Sequence, residues 1–219
     1  MSVRISAIIP AYNEEPTITG VVEALRASPH VREVIVVCDG STDRTAERAR
    51  MAGATVFDLP HNAGKGAAML HGLTHTDASV VAFFDADLIG LTPDHVERLV
   101  FPVLSGSRVM NVGIRDRGPI ISRLASRLPL IGGERVMLRQ VIERVPTEYL
   151  QGYMIESALN YYCRSRALPY GGVFLPGLGI RRKYEKVGWR RGVVEYAKMT
   201  WQIVVAMASV RVGRFLKRF

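Results

Sequence analysis

Cysteine is scarce in this chain, since 219 residues include just Cys38 and Cys163. Two cysteines cannot build the disulfide framework of a small secreted domain, and their spacing is not that of a metal site. Cys38 ends the apolar run VIVVC, so we expect it to be a buried thiol. Folding must then depend on a hydrophobic core, for which a hydrophobic content of 48% is sufficient.

The sequence also has little that would direct it into or across a membrane. The N-terminus lacks the basic region, apolar core and small-residue cleavage site of a signal peptide. In the C-terminal segment, the uncharged stretch 199–210 is shorter than the roughly 18 residues that cross a bilayer. We therefore expect a cytoplasmic protein.

A Walker A loop and an aromatic-interleaved basic patch are missing, although the formal net charge is +9. Positive charge attracts nucleic acids, anionic membranes and phosphorylated small molecules alike. Without a nucleic-acid-binding motif we expect no nucleic-acid partner. Arginine is dense between residues 108 and 144. Any single arginine is typical of a solvated surface, an interpretation that a dense block favours less.

Four apolar runs of strand length alternate with helix patterns over the first hundred residues. Strands are predicted at 5–10, 33–38, 54–59 and 79–84, and helices at 14–28, 43–52, 65–75 and 93–104. Continuous apolar runs are typical of strands covered on both faces. Thr92, Pro93 and Asp94 supply a cap, a first-position proline and a first-turn acid. The pattern predicts an α/β fold with a mainly parallel central sheet and flanking helices.

Polar sequences follow each predicted strand, namely PAYNEE, CDGSTD, PHNAGKG and DADL. The carboxyl ends of parallel strands meet at one edge of an open sheet, which is where such folds bind ligands. Asp85 and Asp87 should lie on one face of extended chain, roughly 6.5 Å apart. Together they can bind Mg²⁺ or Mn²⁺ and, through it, a substrate phosphate. The alternative is that Asp85 caps local backbone.

Two of the other clusters permit simpler interpretations. Asp39, followed by Gly40, could accept a hydrogen bond from a ribose hydroxyl or a base N–H, yet DGSTD alone is typical of an Asx turn that opens a helix. In NAGKG the glycines allow close backbone approach and Lys65 suits a phosphate. That motif is weak, and a plain loop-to-helix turn explains it equally well.

Taken together, IIPAYNEEPTI, VIVVCDGSTDRT, NAGKGAAMLHGL and FFDADL resemble the N-terminal half of the family 2 inverting glycosyltransferases with the GT-A fold, in the branch of the polyprenyl-phosphate sugar synthases. The resemblance implies a nucleotide-sugar donor and a divalent cation, Mg²⁺ or Mn²⁺. It assigns Asp85 and Asp87 to the metal and the donor diphosphate, and thereby makes Asp87 a catalytic residue. The residues it assigns to the nucleotide are Pro10, Ala11, Tyr12, Glu14, Asp39 and Lys65.

Inverting transfer needs a general base that takes the proton of the acceptor hydroxyl. GYMIESALNYY is similar to a Gly-aromatic-x-x-Glu segment of the family, which makes Glu156 the candidate base. An acid favoured by the dipole at a helix start is the alternative. The resemblance also places Arg135, in IGGERV, in a Gly-x-Arg loop beside the acceptor. Three further arginines could bind an acceptor phosphate: Arg117, Arg123 and Arg127.

Two departures from the family concern the metal. Some lipid-phosphate sugar transferases carry a glutamine two residues after the second acid, where this chain has Ile89. Others supply a late histidine, but none follows His95 here. We therefore expect phosphate and water to complete the metal coordination.

One catalytic domain is predicted over residues 1–191, with a nucleotide-sugar-binding half at 1–104 and an acceptor-binding half at 105–191. Residues 192–219 are predicted to form an amphipathic basic helix. It could lie in a membrane interface with Trp201 and Phe215 inserted, or dock on the domain or on a second subunit. Peripheral association with the cytoplasmic face of a membrane and a homodimer are therefore both open.

The sequence thus predicts a metal-dependent, inverting glycosyltransferase that moves a sugar from a nucleotide diphosphate to an acceptor such as a lipid or polyprenyl phosphate. A sugar-phosphate nucleotidyltransferase would share the nucleotide-binding half, but the acidic AYNEE loop should repel a triphosphate. A non-catalytic nucleotide- or membrane-binding module is the third alternative.

Overall fold

The structure of the protein is a computed structural model that describes residues 5–115, 132–150 and 154–181. Within these ranges the strands are β1 (Ile5–Ala11), β2 (Val31–Asp39), β3 (Thr55–Leu59), β4 (Val80–Phe83), β5 (Leu88–Ile89), β6 (Met110–Arg115), β7 (Arg135–Leu138), β8 (Tyr170–Leu175) and β9 (Gly179–Ile180). The helices are α1 (Ile18–Arg26), α2 (Thr45–Met51), α3 (Lys65–Leu73), α4 (Pro93–Leu104), α5 (Arg139–Glu143) and α6 (Met154–Ser165), with a 3-10 turn at Thr147–Tyr149.

The main sheet has the strand order β3-β2-β1-β4-β7-β6-β8, and β5 pairs with β9 apart from it. Strands β1 to β4 are mutually parallel, as β6 and β8 are. Among the described strands of this sheet, β7 is the antiparallel one, because it runs against both β4 and β6. Its register pairs Phe83 with Arg135, so the acids that follow β4 lie beside the residues that precede β7.

Alternating side chains of the central strands enter hydrophobic cores on opposite faces of the sheet. In β1, Ala7 and Ile9 belong to the core that includes α1 and α4, whereas Ile8 belongs to the core that includes α3 and α6. Cys38 belongs to the first core and is buried, as predicted. Burial raises the pKa of its thiol to about 12.

Strand β3 departs from the prediction that every apolar run is covered on both faces. Thr55 and Asp58 are exposed, and the rest of the strand is half-buried. The reason is its place at the edge of the sheet, where β2 is its neighbour on one side.

Helix boundaries follow the local signals where a cap is present. Helix α4 spans the predicted residues, because the Thr92 hydroxyl accepts the His95 N–H at 3.3 Å while His95 Nδ1 accepts the Thr92 N–H at 3.3 Å. The helix predicted from residue 14 begins at Ile18 instead. The predicted start was wrong because residues 15–17 form a turn, in which the Thr17 N–H donates to the Glu14 carbonyl at 3.1 Å. The Glu14 N–H donates to Thr45 Oγ1 at 2.8 Å, which holds that turn against α2.

Across the described ranges, no helix combines the length and the apolar character that crossing a bilayer requires. The helix predicted at 192–219 lies outside those ranges, as do Arg117, Arg123 and Arg127. The predicted division into 1–104, 105–191 and 192–219 stays a prediction.

Candidate active site

The loops after β1 and β2 meet at the carboxyl edge of the sheet and are cross-linked there. The Asn13 N–H donates to Ser41 Oγ at 3.2 Å, and the Thr42 N–H donates to Asn13 Oδ1 at 2.8 Å. Asn13 has a positive φ of 54°, a conformation that asparagine tolerates better than most residues. This edge is where the sequence placed the ligand site.

The acidic loop PAYNEE is less negative than its sequence suggests. The Glu15 carboxylate accepts from Arg44 at 2.8 Å and from Arg48 at 3.1 Å. Side-chain hydrogen bonds from Arg44 lower the pKa of Glu15. Repulsion of a triphosphate by this loop is therefore a weaker argument against a nucleotidyltransferase than the sequence alone indicated.

Residues assigned to the nucleotide surround the end of β1. Pro10 is half-buried and Ala11 is buried in the strand, the Tyr12 side chain is 48% exposed, and Glu14 is buried in the following turn. An exposed aromatic ring at a ligand edge is suited to contact a base. Their roles stay predictions.

Asp39 closes the loop that leads into α3. Its two carboxylate oxygens accept the N–H groups of Ala63 and Gly64, at 2.7 and 2.8 Å. Gly64 has a φ of 93° and precedes the helix, a backbone conformation that favours glycine. Asp39 therefore positions Lys65, and its predicted contact with a nucleotide stays a prediction.

Lys65 joins the two carboxylates that the sequence placed in separate halves of the chain. Its Nζ lies 2.7 Å from Asp85 Oδ1 and 3.2 Å from Glu156 Oε1. Burial by itself would lower the pKa of Lys65, but these carboxylates raise it above its ordinary value. Burial by itself would raise the pKa of Asp85, but Lys65 and Arg115 lower it. Both groups are charged at neutral pH.

The acids of DADL do not continue the strand, so the predicted face of extended chain was wrong. Strand β4 ends at Phe83, and Ala86 and Asp87 form a turn before β5. The Asp87 carbonyl accepts the Arg181 N–H at 2.9 Å, because β5 pairs with β9. Both acids therefore reach the sheet edge because the chain turns there, and not because side chains alternate along a strand.

The Asp85 carboxylate fits a divalent cation by its chemistry and by its partial exposure, since its side chain is 21% exposed. A Cβ added to Gly133 would lie 2.2 Å from Asp85 Oδ2, so glycine at this position lets the carboxylate lie against the loop. Mg²⁺ binds protein through one or two carboxylates and keeps phosphate and water as further ligands. The described residues contain no group of three His, Cys, Asp or Glu side chains arranged around one cation.

Arg135 lies inside the protein and binds backbone. Its Nη2 and Nε donate to the Gly132 carbonyl at 2.7 and 3.2 Å, and its Nη1 donates to the Glu156 carbonyl at 3.5 Å. Burial lowers the pKa of Arg135. The side chain thus ties the glycine loop to the first turn of α6, where Glu156 lies. Its predicted contact with an acceptor stays a prediction.

Two residues of the site were not predicted individually. Arg115, at the end of β6, places Nη1 3.9 Å from Asp85 Oδ2 and Nε 3.6 Å from Glu134 Oε2. Glu134 is fully buried, and within the described part of the chain neither carboxylate oxygen has a hydrogen-bond partner. Burial, followed by the charge of Asp85, raises the pKa of Glu134 to about 7. The density of arginine around residue 115 was the one available signal.

Comparison with known proteins identifies the family. The Glycosyl transferase family 2 model matches residues 6–163. The glucosyl-3-phosphoglycerate synthase of Mycobacterium tuberculosis is 34% identical over 189 residues, which cover 80% of this chain and 58% of the relative. This chain therefore spans less than two thirds of that relative's length.

Crystal structures of the Mycobacterium tuberculosis enzyme share the fold. One, in complex with Mn²⁺, UDP-glucose and phosphoglyceric acid, has a TM-score of 0.79 and 29% identity and covers 94% of this chain and 79% of that chain. Another, in complex with Mg²⁺ and UDP, has a TM-score of 0.79 and 28% identity over the same shares of the chains. In those structures a divalent cation accompanies the nucleotide, and the mainly parallel α/β fold predicted here is confirmed. The match over residues 6–163 and the relationship in sequence and fold show that the chain belongs to glycosyl transferase family 2.

Proposed function

We propose that this protein transfers glucose from UDP-glucose, with Mg²⁺ or Mn²⁺ as cofactor, to the hydroxyl of a small phosphorylated acid of the phosphoglycerate type. The observation that carries the proposal is the junction of Asp85, Lys65 and Glu156 at the carboxyl edge of the sheet in a chain of family 2. The donor and acceptor are inferred from the relative, which is named for glucose and 3-phosphoglycerate.

Asp85 and Asp87 are the residues that would hold the cation. A divalent cation there would neutralise the charge that develops on the departing nucleoside diphosphate. Gly133 would let the Asp85 carboxylate lie against its loop, and the donor diphosphate and water would supply the remaining ligands. Tyr12 and Asp39 would contact the nucleoside.

Glu156 is the proposed base for the acceptor hydroxyl. Its carboxylate is paired with Lys65 at 3.2 Å, and that ion pair has to weaken before the carboxylate can take a proton. An arriving diphosphate attracts the Lys65 ammonium, so donor binding would release Glu156. The order of events would then be donor first and acceptor second.

The proposed acceptor carries a phosphate group, and a lipid phosphate would carry one too. The relative's name favours the small acid, and the lipid or polyprenyl phosphate of the sequence prediction remains as a second acceptor to be tested. A sugar-phosphate nucleotidyltransferase and a non-catalytic module are not favoured by membership of a glycosyl transferase family.

The test combines donor binding with product analysis. UDP with Mn²⁺ should raise the melting temperature of the wild type, and Asp87→Asn should lose that shift, whereas Asp94→Asn should keep it, because Asp94 is an exposed acid on α4. UDP-glucose should be consumed with 3-phosphoglycerate and not with polyprenyl phosphate. Proton NMR of the product tests the predicted inversion, which gives a β-linkage from the α-linked donor. Unchanged transfer by Asp87→Asn would contradict the metal assignment.

A further inference from the structure

The buried carboxylate of Glu134 is expected to lower the stability of the fold, so its presence calls for a functional reason. Its side chain is fully buried, and within the described residues no hydrogen bond reaches either carboxylate oxygen. Buried polar atoms in proteins are nearly always hydrogen-bonded, and an exception calls for a reason such as a functional role. A carboxylate kept only for structure would be expected to accept hydrogen bonds.

Arg115 is the cation that Glu134 faces. Arg115 Nε lies 3.6 Å from Glu134 Oε2, and Arg115 Nη1 lies 3.9 Å from Asp85 Oδ2. Both distances are longer than a normal N–H···O hydrogen bond, whose upper limit is about 3.2 Å. An arginine side chain stays protonated in proteins. The guanidinium is therefore charged, and it is oriented by two carboxylates that do not occupy its N–H groups.

The position of Arg115 in the sheet indicates which substrate it serves. The loops assigned to the nucleotide follow β1 and β2, on one side of β4, whereas β6 lies beyond β7 on the other side. Arg115 is the last residue of β6, so its guanidinium reaches Asp85 from the side away from the nucleotide. An anion that it binds there would lie next to the donor diphosphate.

We propose that Arg115 binds the phosphate of the acceptor and that Glu134 is the positioning residue for its guanidinium. The inference rests on the proposed function and identifies the acceptor subsite. Guanidinium groups bind phosphate through paired N–H donors in a planar fork. A cation held by Asp85 would neutralise that carboxylate, which would then no longer attract Arg115, whereas Glu134 would keep the guanidinium in place.

The experiment is steady-state kinetics with UDP-glucose and 3-phosphoglycerate on Arg115→Gln, Arg115→Lys, Glu134→Gln and the double variant Arg115→Gln/Glu134→Gln. Arg115→Gln should raise the acceptor KM about ten- to hundredfold, the loss expected for hydrogen bonds to a charged group, and leave kcat and the donor KM nearly unchanged. Arg115→Lys should be intermediate because it keeps the charge and loses the fork. Arg98→Gln, which changes an exposed arginine on α4, is the matched control. It should leave the acceptor KM, the donor KM and kcat unchanged.

The double variant distinguishes a positioning role from a separate structural one. If Glu134 acts through Arg115, Glu134→Gln should raise the acceptor KM, and the double variant should resemble Arg115→Gln and not show the product of both effects. Glu134→Gln should melt at or above the wild-type temperature, because it removes a buried charge without hydrogen bonds. Independent effects in the double variant would overturn the role of Glu134.

The remaining outcomes separate this inference from the proposed function. Wild-type transfer with an acceptor KM that Arg115→Gln does not change would overturn the subsite and leave the function standing. Wild type that shows neither a UDP-dependent shift nor transfer would overturn both. A raised KM for polyprenyl phosphate, where that is the acceptor used, would support the same subsite with a lipid as the source of the phosphate.

Discussion

At the scale of single residues, the site is a set of charges that compensate one another across the chain. Asp85 and Glu156 are balanced by Lys65, and Glu134 lies opposite Arg115. The pairs of Lys65 are partly buried, so removing Lys65 would leave two carboxylates with little solvent to stabilise them. A negatively charged substrate would therefore meet Lys65 and Arg115, whose positive charges are already paired with carboxylates. Such a substrate can attract these side chains away from their carboxylates.

Glu134 predicts a pH dependence of stability opposite in sign to that of a salt-bridged carboxylate. Its pKa rises on folding from 4.5 to about 7, so the folded state binds the proton more tightly than the unfolded state. The stability it contributes is present below pH 4.5 and is lost as the pH rises through about 7. The charged groups that interact with it are Asp85, Arg115, Lys65 and Arg135.

Glu134→Gln should therefore become more stable relative to wild type as the pH increases from about 5 to about 8, by up to about 3 kcal/mol. Denaturant unfolding in the presence of EDTA at the two pH values measures the difference. Glu97→Gln, at an exposed position of α4, is the control and should show no such trend. A constant difference between Glu134→Gln and wild type would refute a raised pKa.

The part of the site that local motifs describe was predictable, and the rest was not. Asp85, Lys65 and Glu156 stand in short motifs that resemble a family, so each was named from the sequence. Arg115 stands in no such motif, and Glu134 is the unspecified residue of the Gly-x-Arg loop, so neither was assigned a role. Their proximity depends on the pairing of β6 with β7, and register between strands distant in sequence has no local signature.

At the scale of elements, α3 is placed by a close contact that a glycine permits. A Cβ on Gly72 would lie 2.5 Å from Ile8 Cγ2 and 3.3 Å from Val37 Cγ2, so α3 packs directly on β1 and β2. Since Lys65 begins this helix, the same contact contributes to the position of the site.

Gly72→Ala should destabilise the protein by about 1–3 kcal/mol through overpacking. Gly20→Ala, in α1 with nothing within 4 Å of the added Cβ, should stabilise it by about 0.5–1 kcal/mol, because alanine is the better helix former. Helix propensity favours alanine at both positions, so opposite signs isolate the effect of packing. Chemical denaturation measures both variants, and stabilisation by Gly72→Ala would show that α3 can move without cost.

Helix α4 and strand β3 show where element-level prediction succeeds and fails. The start of α4 is encoded by Thr92 and Pro93 within a few residues, so its bounds were predicted. The exposure of β3 follows from its place at the sheet edge, which depends on the order of strands and not on the residues of β3. The start of α1 was predicted too early because residues 15–17 form a turn that precedes the helix.

At the scale of the whole molecule, the net charge of +9 and the basic segment 192–219 lead to a prediction about membranes. The full chain should sediment with anionic vesicles at low salt and be released by added salt, because exposed charges are screened. A chain that ends at residue 191 should bind less, and neutral vesicles are the control. Equal sedimentation of both chains would assign the attraction to the catalytic domain.

The sequence by itself determined the alternation of strands and helices over the first hundred residues, the mainly parallel sheet, and the edge at which the polar loops meet. These depend on apolar periodicity, caps and turn residues, which act over a few positions. The tertiary structure alone decided that Lys65 bridges Asp85 and Glu156, that Arg135 is buried, and that Glu134 faces Arg115. Such contacts join residues far apart in the chain, and strand register and helix packing bring them together.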